Sequence, residues 1–168
     1  MDTIRFRHAT FTARFPVAYR YAPSHFWMAP VDETGPDGLR TWRVGFTKFA
    51  TRMLGELVEL TLDVAAGGQV APGDRLGTVE GFKAVSDLFC VMDGRFAGGN
   101  EALGGGGCLT HSDPYGQGWL YAVRGEPEPG HLDVHGYVAL LTETIDRLQA
   151  SRYSGDASEP ASPEDDEP

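Results

Sequence analysis

Lys83, in the stretch EGFKAVSDLF at residues 80–89, is the side chain of this sequence best suited to covalent chemistry. The chain has only two lysines, Lys48 and Lys83, whereas its other twelve basic residues are arginines. The strand patterns RLGTVE and DLFCV on either side predict a β-hairpin with residues 81–86 at its tip. A lysine there projects a flexible amine, which can be acylated, whereas a protonated guanidinium cannot. The pattern therefore predicts either an acyl-carrying lysine or an ordinary solvated charge.

Other reactive residue types are present without the spacing of a catalytic or metal site. Cys90 and Cys108 match neither a redox pair nor a metal-binding motif, and the five histidines are scattered. Cys90 is interpreted as a core thiol. The GGGG run at 104–107 lacks the lysine and the following helix of a phosphate loop. The sequence therefore predicts no resident metal and no catalytic machinery of its own.

The formal net charge of −10 is unevenly distributed along the chain. Residues 151–168 carry six acids and one arginine and are rich in serine and proline, which predicts an acidic disordered tail. The remaining acidity disfavours nucleic acid and suits partner proteins with basic docking surfaces. No apolar run has the length of a membrane span or the form of a secretory signal. We therefore expect a cytoplasmic protein without a membrane partner, or a mitochondrial one only if the source is eukaryotic.

The elements that must position Lys83 are predicted to be mainly antiparallel strands joined by tight turns. Residues 1–20, rich in β-branched and aromatic types, predict a strand-like extension at a sheet edge. An apolar stripe with a period near 3.6 predicts a C-terminal helix over residues 132–149. The main domain accordingly covers residues 21–150, between the extension and the tail.

One short helix is predicted between two strands in the first half of this domain. Residues 41–46 alternate as a strand, and the TKFATRMLGE stretch that follows has helical character. Thr47 is a good N-cap, and Gly55 stands where a left-handed C-cap belongs. The helix is therefore expected to lie between these two residues.

Three segments follow one another in a specific order along the domain: VGFTKFATRMLGELVELTL, GTVEGFKAVSDLFCVMDGRFAGGNEAL and DPYGQGWL. The first resembles the pattern V-G-I-T-x-x-A-x-x-x-L-G, and the last matches D-P-Y-G-x-G-W. Together they are similar to the glycine cleavage system H protein family, whose members carry lipoate. The resemblance runs from about residue 25 to Trp119.

The resemblance implies a lipoyl/biotinyl hammerhead-type sandwich or barrel of antiparallel strands. It also implies that lipoate is bound covalently to Lys83. Glu80, Gly81, Ser86 and Asp87 are then the hairpin residues that the lipoylating enzyme recognises. His25 and Trp27 are candidates to line a cleft for the loaded arm, or they are packed core residues.

The resemblance further implies a carrier rather than an enzyme. Such a carrier shuttles the aminomethyl group between glycine decarboxylase and the tetrahydrofolate-dependent aminomethyltransferase. Its other expected partners are dihydrolipoamide dehydrogenase, which reoxidises the dithiol, and a lipoyl ligase or lipoyl transferase, which attaches the cofactor.

Several residues depart from the family pattern. Gly81 and Phe82 replace a Ser or Thr and a small aliphatic residue before the lysine, Val91 replaces a proline, and His111 replaces an asparagine. These departures leave room for a lipoyl carrier of another system, such as sulfur oxidation or lipoyl relay, or for a non-lipoylated scaffold module. A biotin carrier is disfavoured because biotin sites flank the lysine with methionines, whereas Phe82 and Ala84 flank it here.

Overall fold

The computed structural model describes residues 1–31, 34–105 and 108–158. The strands are β1 (Thr3–His8), β2 (Phe11–Pro16), β3 (Arg20–Tyr21), β4 (Phe26–Pro30), β5 (Arg40–Phe46), β6 (Leu57–Leu62), β7 (Gln69–Val70), β8 (Arg75–Gly81), β9 (Val85–Phe89), β10 (Met92–Gly99) and β11 (Tyr121–Pro127). The α-helices are α1 (Lys48–Leu54), α2 (Leu109–Ser112) and α3 (Val134–Ser158), and a 3₁₀ helix spans Glu101–Gly105. The prediction of a mainly β fold with a short helix and a C-terminal helix is confirmed.

The strands form three antiparallel sheets. The largest has the order β3-β4-β5-β11-β10-β7, and a three-stranded sheet has the order β6-β8-β9. Inward-facing side chains of both sheets share one buried cluster, to which Met28 and Val44 contribute from the large sheet and Leu76 and Leu88 from the small one. The two sheets therefore pack face to face as a sandwich, the arrangement expected of alternating strands with one buried face.

The third sheet is the β1–β2 hairpin at the N-terminus. Its alternating pattern buries Phe6, Phe11 and Phe15 on one face, and these rings join a second buried cluster with the apolar stripe of α3. The extension is strand-like, but its predicted position at a sheet edge is wrong, because the chain reverses at Ala9, which has a left-handed φ of 54°, and pairs with itself. The hairpin forms a sheet of its own instead of extending the large one.

Helix α1 begins and ends where its capping residues predict. The Thr47 side chain accepts a hydrogen bond from the Ala50 amide, and Gly55 adopts the positive φ of 82° that favours glycine. Phe49 and Leu54 are buried, and α1 connects β5 to β6. This short connection brings the C-terminal end of α1 to the β8–β9 hairpin.

Helix α3 is longer than the sequence predicts. It continues to Ser158, so residues 151–158 belong to the helix and not to the predicted tail. Arg152 is exposed, and a polar residue of this kind does not extend the apolar stripe from which the helix was predicted. The rest of the predicted tail, residues 159–168, lies outside the described residues. In the part of the chain that the structure covers, no helix combines the length and the apolarity of a membrane span.

Candidate cofactor-attachment site

Lys83 occupies the apex of the β8–β9 hairpin. Strand β8 ends at Gly81 and β9 begins at Val85, so the turn is formed by the three residues between them. The Gly81 amide donates to the Ala84 carbonyl at 2.8 Å, which closes the turn. Phe82, Lys83 and Ala84 are all exposed. The hairpin is tighter than the six-residue tip predicted, and its central residue is the lysine.

The apex rests on the C-terminal end of α1. The Phe82 and Lys83 amides donate to the Glu56 and Leu54 carbonyls, both at 3.0 Å, and the Lys83 Nζ donates to the Arg52 carbonyl, also at 3.0 Å. Carbonyls at a helix C-terminus lack intrahelical partners and favour a nearby cation. Among the described residues no carboxylate forms an ion pair with Lys83, so the amine is exposed and held by one backbone acceptor.

The residues expected to guide recognition lie at different positions along the hairpin. Glu80 is exposed next to the turn, whereas Ser86 and Asp87 lie within β9, opposite Val79 and Thr78, and not at the apex. Asp87 accepts a hydrogen bond from Arg75 Nε at 3.1 Å, and it is half exposed. Glu80 is therefore the carboxylate placed nearest to Lys83 in the hairpin sequence, and Asp87 already has a cationic partner.

Gly81 is buried, unlike the other candidate residues, and packs against the last turn of α1. A Cβ at this position would lie 2.3 Å from the Leu54 carbonyl oxygen, a separation that real structures do not tolerate. The glycine at position 81 is therefore required by the close approach of the hairpin to α1. In this structure Gly81 allows the hairpin to pack closely against the end of α1, so any contribution to recognition by the lipoylating enzyme is indirect.

Apolar side chains are unusually exposed around the lysine. Phe82 is 76% exposed and Val85 is 71% exposed, while Met53 of α1 is 51% exposed. Exposed apolar groups gathered near a polar rim are typical of surfaces that meet other proteins. The replacement of a small aliphatic residue by Phe82 was visible in the sequence, but its exposure required the structure.

A cleft between α1 and the hairpin, here called the α1 cleft, opens beside the apex. Its volume is about 430 Å³, and its apolar walls include Phe46, Phe49 and Met53 on one side and Ala84 and Phe89 on the other. His25 lines the α1 cleft, as one of the two sequence interpretations expected. Trp27 does not, since it is 1% exposed and its Nε1 donates to the Pro114 carbonyl at 2.9 Å.

A second and smaller cavity, here called the His111 cavity, lies under the lysine stem. It has a volume of about 240 Å³, and its walls include Arg52, Lys83 and His111. The departure from the family's asparagine was the only sequence signal that pointed to His111. The Arg52 carbonyl carries no sequence signal at all, because it is a backbone group.

The cysteine nearest the hairpin is unsuited to redox chemistry. Cys90 is buried, its Sγ donates to the Met92 carbonyl at 3.2 Å, and burial raises the pKa of its thiol to about 11. A thiol with a raised pKa is a poor nucleophile at neutral pH. The interpretation of Cys90 as a core residue agrees with this environment.

Comparison with known proteins identifies the domain that carries the hairpin. The family model described as "Glycine cleavage H-protein" matches residues 20–134. The glycine cleavage system H protein of Mycolicibacterium smegmatis is 39% identical over 138 residues, covering 78% of this chain and 99% of that protein. The corresponding protein of Pseudoalteromonas atlantica is 36% identical over 135 residues, covering 78% and 98%.

Comparison with a solved structure supports the same family. The crystal structure of a glycine cleavage system H protein from Mycobacterium marinum superposes with a TM-score of 0.63 and 35% sequence identity, covering 74% of this chain and 97% of that one. The family match begins at residue 20 and ends at residue 134, so it leaves out the β1–β2 hairpin and nearly all of α3. The matched region, residues 20–134, contains the β8–β9 hairpin with Lys83, and the chain belongs to the glycine cleavage H-protein family.

Proposed function

We propose that this protein is the lipoyl carrier of a glycine cleavage system, with lipoate attached to Lys83. In this role it shuttles the aminomethyl group between glycine decarboxylase and the tetrahydrofolate-dependent aminomethyltransferase. The observation that carries the proposal is the exposed Lys83 amine at the apex of the β8–β9 hairpin, within the region that matches the family. Dihydrolipoamide dehydrogenase and a lipoyl ligase or transferase complete the set of partners.

The residues around Lys83 fit a lipoyl group in charge and in shape. Acylation removes one positive charge from the apex, and no described carboxylate depends on that charge as an ion-pair partner. The apolar walls of the α1 cleft match the hydrocarbon chain of the group, and the cleft begins at Ala84, next to the attachment point. When bound as an amide, lipoate supplies a pair of sulfurs that accept and release the aminomethyl group and two electrons.

The hairpin contributes an accessible nucleophile to the attachment reaction. The ammonium of Lys83 first loses a proton, and the free amine then attacks the carboxyl carbon of an activated lipoyl group. A C–N bond forms, the activating group departs with the electron pair of the broken bond, and a second proton leaves the nitrogen. The exposed Phe82, Val85 and Glu80 give the attaching enzyme an apolar surface with an acidic edge to bind.

The chain itself is proposed to be a carrier and not a catalyst. The tether raises the effective concentration of the cofactor at each partner's active site, which requires mobility and exposure but no catalytic group on this chain. The relatives described above are bacterial proteins, and the cytoplasm is therefore the compartment we propose.

The two lysines of the chain provide a matched test of the attachment site. After coexpression with a lipoate ligase, the wild type and the Lys48→Arg variant should both gain the mass of one lipoyl group. Lys83→Arg should gain none, because a guanidinium is not acylated under these conditions. Intact-mass spectrometry decides between these outcomes, and a lipoyl increment on Lys83→Arg would overturn the assignment.

The same preparation distinguishes glycine cleavage from another lipoyl system. The lipoylated protein should be loaded with an aminomethyl group when glycine and glycine decarboxylase from the same organism are added. A lipoylated chain that this enzyme does not load would assign the carrier to a different system.

A further inference from the structure

The outer face of the β1–β2 hairpin is positively charged. Because side chains alternate along a strand, Phe6 faces the core whereas Arg5, Arg7 and Arg14 are exposed on the opposite face. Arg5 lies directly opposite Arg14 in the register of the hairpin. Two like charges in this arrangement repel each other, so the face favours the binding of an anion.

A cavity of about 400 Å³ lies beside these arginines. Arg5 and Arg14 line it together with Lys48, the first residue of α1, and no described residue on its wall is a carboxylate. We call the surface formed by Arg5, Arg7, Arg14 and Lys48 the basic face.

The basic face has no counter-charge within the part of the chain that the structure describes. None of its four side chains forms an ion pair or a side-chain hydrogen bond there. Asp2 is the one acidic residue in the sequence before residue 32, and Asp146 of α3 pairs with His8. Four unpaired cations on one face are unexpected in a chain with a formal net charge of −10.

The complementary charge is present in the sequence at residues 159–168. This segment, here called the acidic segment, has five acidic residues and no lysine or arginine: Glu159, Glu164, Asp165, Asp166 and Glu167. Like the β1–β2 hairpin, it lies outside the region that matches the family. We propose that the acidic segment binds the basic face of the same chain.

The course of α3 places the acidic segment within reach of the basic face. Helix α3 follows the inner face of the hairpin toward its turn, since Tyr137 packs edge-on against Phe15 and Asp146 contacts His8 beside the turn. From Asp146 to Ser158 the helix extends about 18 Å further. Ten extended residues span up to about 33–36 Å, which is enough to return to the turn and pass onto the outer face.

The tether compensates for the weakness of each ion pair. An exposed pair contributes little by itself, but a short flexible connection raises the effective concentration of the segment to about the millimolar range. Lys48 lines the His111 cavity as well as the cavity of the basic face, and Lys83 lines the former. The bound segment therefore excludes other acidic chains from the flank of α1 next to the attachment lysine.

A spin label on the acidic segment tests the proposal in the full chain. The nitroxide is attached to Ser162→Cys in a Cys108→Ser background, where the remaining Cys90 is buried. In a ¹H–¹⁵N spectrum it should broaden the amide signals of Arg7, Thr12 and Arg14. The broadening should be at least about threefold stronger in about 0.01 M salt than in about 1 M salt, because the Debye length falls from about 30 Å to about 3 Å.

Charge reversal on both partners identifies the contact. Arg5→Glu combined with Arg14→Glu should abolish the broadening, and replacing residues 164–167 by four lysines in the same protein should restore it. The matched control is Arg95→Glu, an exposed arginine on β10, which should leave the broadening unchanged. Thermal unfolding of each variant confirms that it is folded.

Three results would overturn the proposal. The first is a wild-type spectrum in which the hairpin amides are not broadened, which would leave the basic face open to acidic partners. The second is broadening that neither salt nor charge reversal changes. The third is equal broadening when spin-labelled chains are mixed with separate ¹⁵N-labelled chains, which would assign the segment to the face of a second copy. The measurement uses the unlipoylated protein, so its outcome is independent of the function proposed above.

Discussion

At the scale of single residues, His25 shows how burial decides the charge of a side chain near the site. His25 has a left-handed φ of 76°, and its Nδ1 lies 2.9 Å from the hydroxyl of Tyr137, which in turn lies 2.8 Å from Thr47 Oγ1. Desolvation lowers the pKa of His25 to about 4. The imidazole is therefore neutral at neutral pH, and the α1 cleft that it lines carries no positive charge from this residue.

The lowered pKa of His25 predicts acid sensitivity of the fold. Between pH 6.5 and pH 4 the unfolded chain binds a proton at His25 that the folded chain does not, so stability falls as the pH falls. We expect this residue to remove roughly 2–3 kcal/mol of unfolding free energy between pH 7 and pH 4. Urea unfolding curves of the wild type and the His25→Asn variant, measured between pH 7 and pH 4, give the contribution of His25 to this loss of stability.

Asparagine is the control of choice at position 25 because it tolerates a left-handed φ and does not titrate. The His25→Asn variant should lose less stability on acidification than the wild type. Identical pH slopes for the two proteins would show that folding does not lower the pKa of His25.

Lys83 was identified from the sequence, whereas its hydrogen-bond partners were not. An amine at a hairpin tip is predicted by residue types and spacing alone, whereas Glu80 was singled out only by the resemblance to the family. The acceptor of Lys83 is a carbonyl of Arg52, 31 residues away, and the burial of His111 Nδ1 depends on where α2 packs. Such contacts arise from tertiary packing, which local patterns do not encode.

At the scale of secondary-structure elements, the β8–β9 hairpin is positioned by its backbone contact with α1. The Lys83 amide donates to the last carbonyl of the helix, at Leu54, and Gly81 allows the two backbones to approach. The caps of α1 at Thr47 and Gly55 were predictable from residue types. The close approach of Gly81 to Leu54 was not, because the glycine alone was equally consistent with a turn requirement.

This contact predicts the effect of adding a single methyl group at position 81. Gly81→Ala should lower the unfolding free energy by about 1–3 kcal/mol, because the new Cβ overlaps the Leu54 carbonyl and forces the hairpin away from α1. Gly130→Ala is the matched control, since no atom lies within 4 Å of its added Cβ. Chemical denaturation of both variants measures the difference, and equal stabilities would contradict the observed packing.

At the scale of the whole molecule, two buried clusters divide the fold. The first fills the sandwich and supports the lysine hairpin, whereas the second joins the β1–β2 hairpin, α1 and α3. The second cluster is largely aromatic, with Phe15 edge-on to Tyr137 and Tyr21 stacked on Tyr137. The sequence predicted strand character in the N-terminal segment, but the partner of its apolar face was a long-range contact that periodicity does not specify.

Phe11 links the N-terminal hairpin to the helix that supports the lysine. It is 5% exposed, its ring lies edge-on to Phe49 of α1 with centroids 5.6 Å apart, and the guanidinium of Arg52 lies 5.7 Å from its centroid. The segment outside the family match is therefore packed as core. Its removal should affect the stability of the whole molecule more than the chemistry at Lys83.

Substitution of Phe11 tests whether the N-terminal hairpin contributes to the stability of the fold and not to the lipoylation of Lys83. Phe11→Ala should lower the unfolding free energy by about 3–5 kcal/mol, because it leaves a cavity against Phe49. Val17→Ala, at a position that is 40% exposed, should change it by less than about 0.5 kcal/mol. Under native conditions both variants should still gain one lipoyl group, because the contacts of Lys83 lie with α1 and the hairpin. A folded Phe11→Ala protein that resists lipoylation would show instead that the N-terminal hairpin takes part in presenting the lysine.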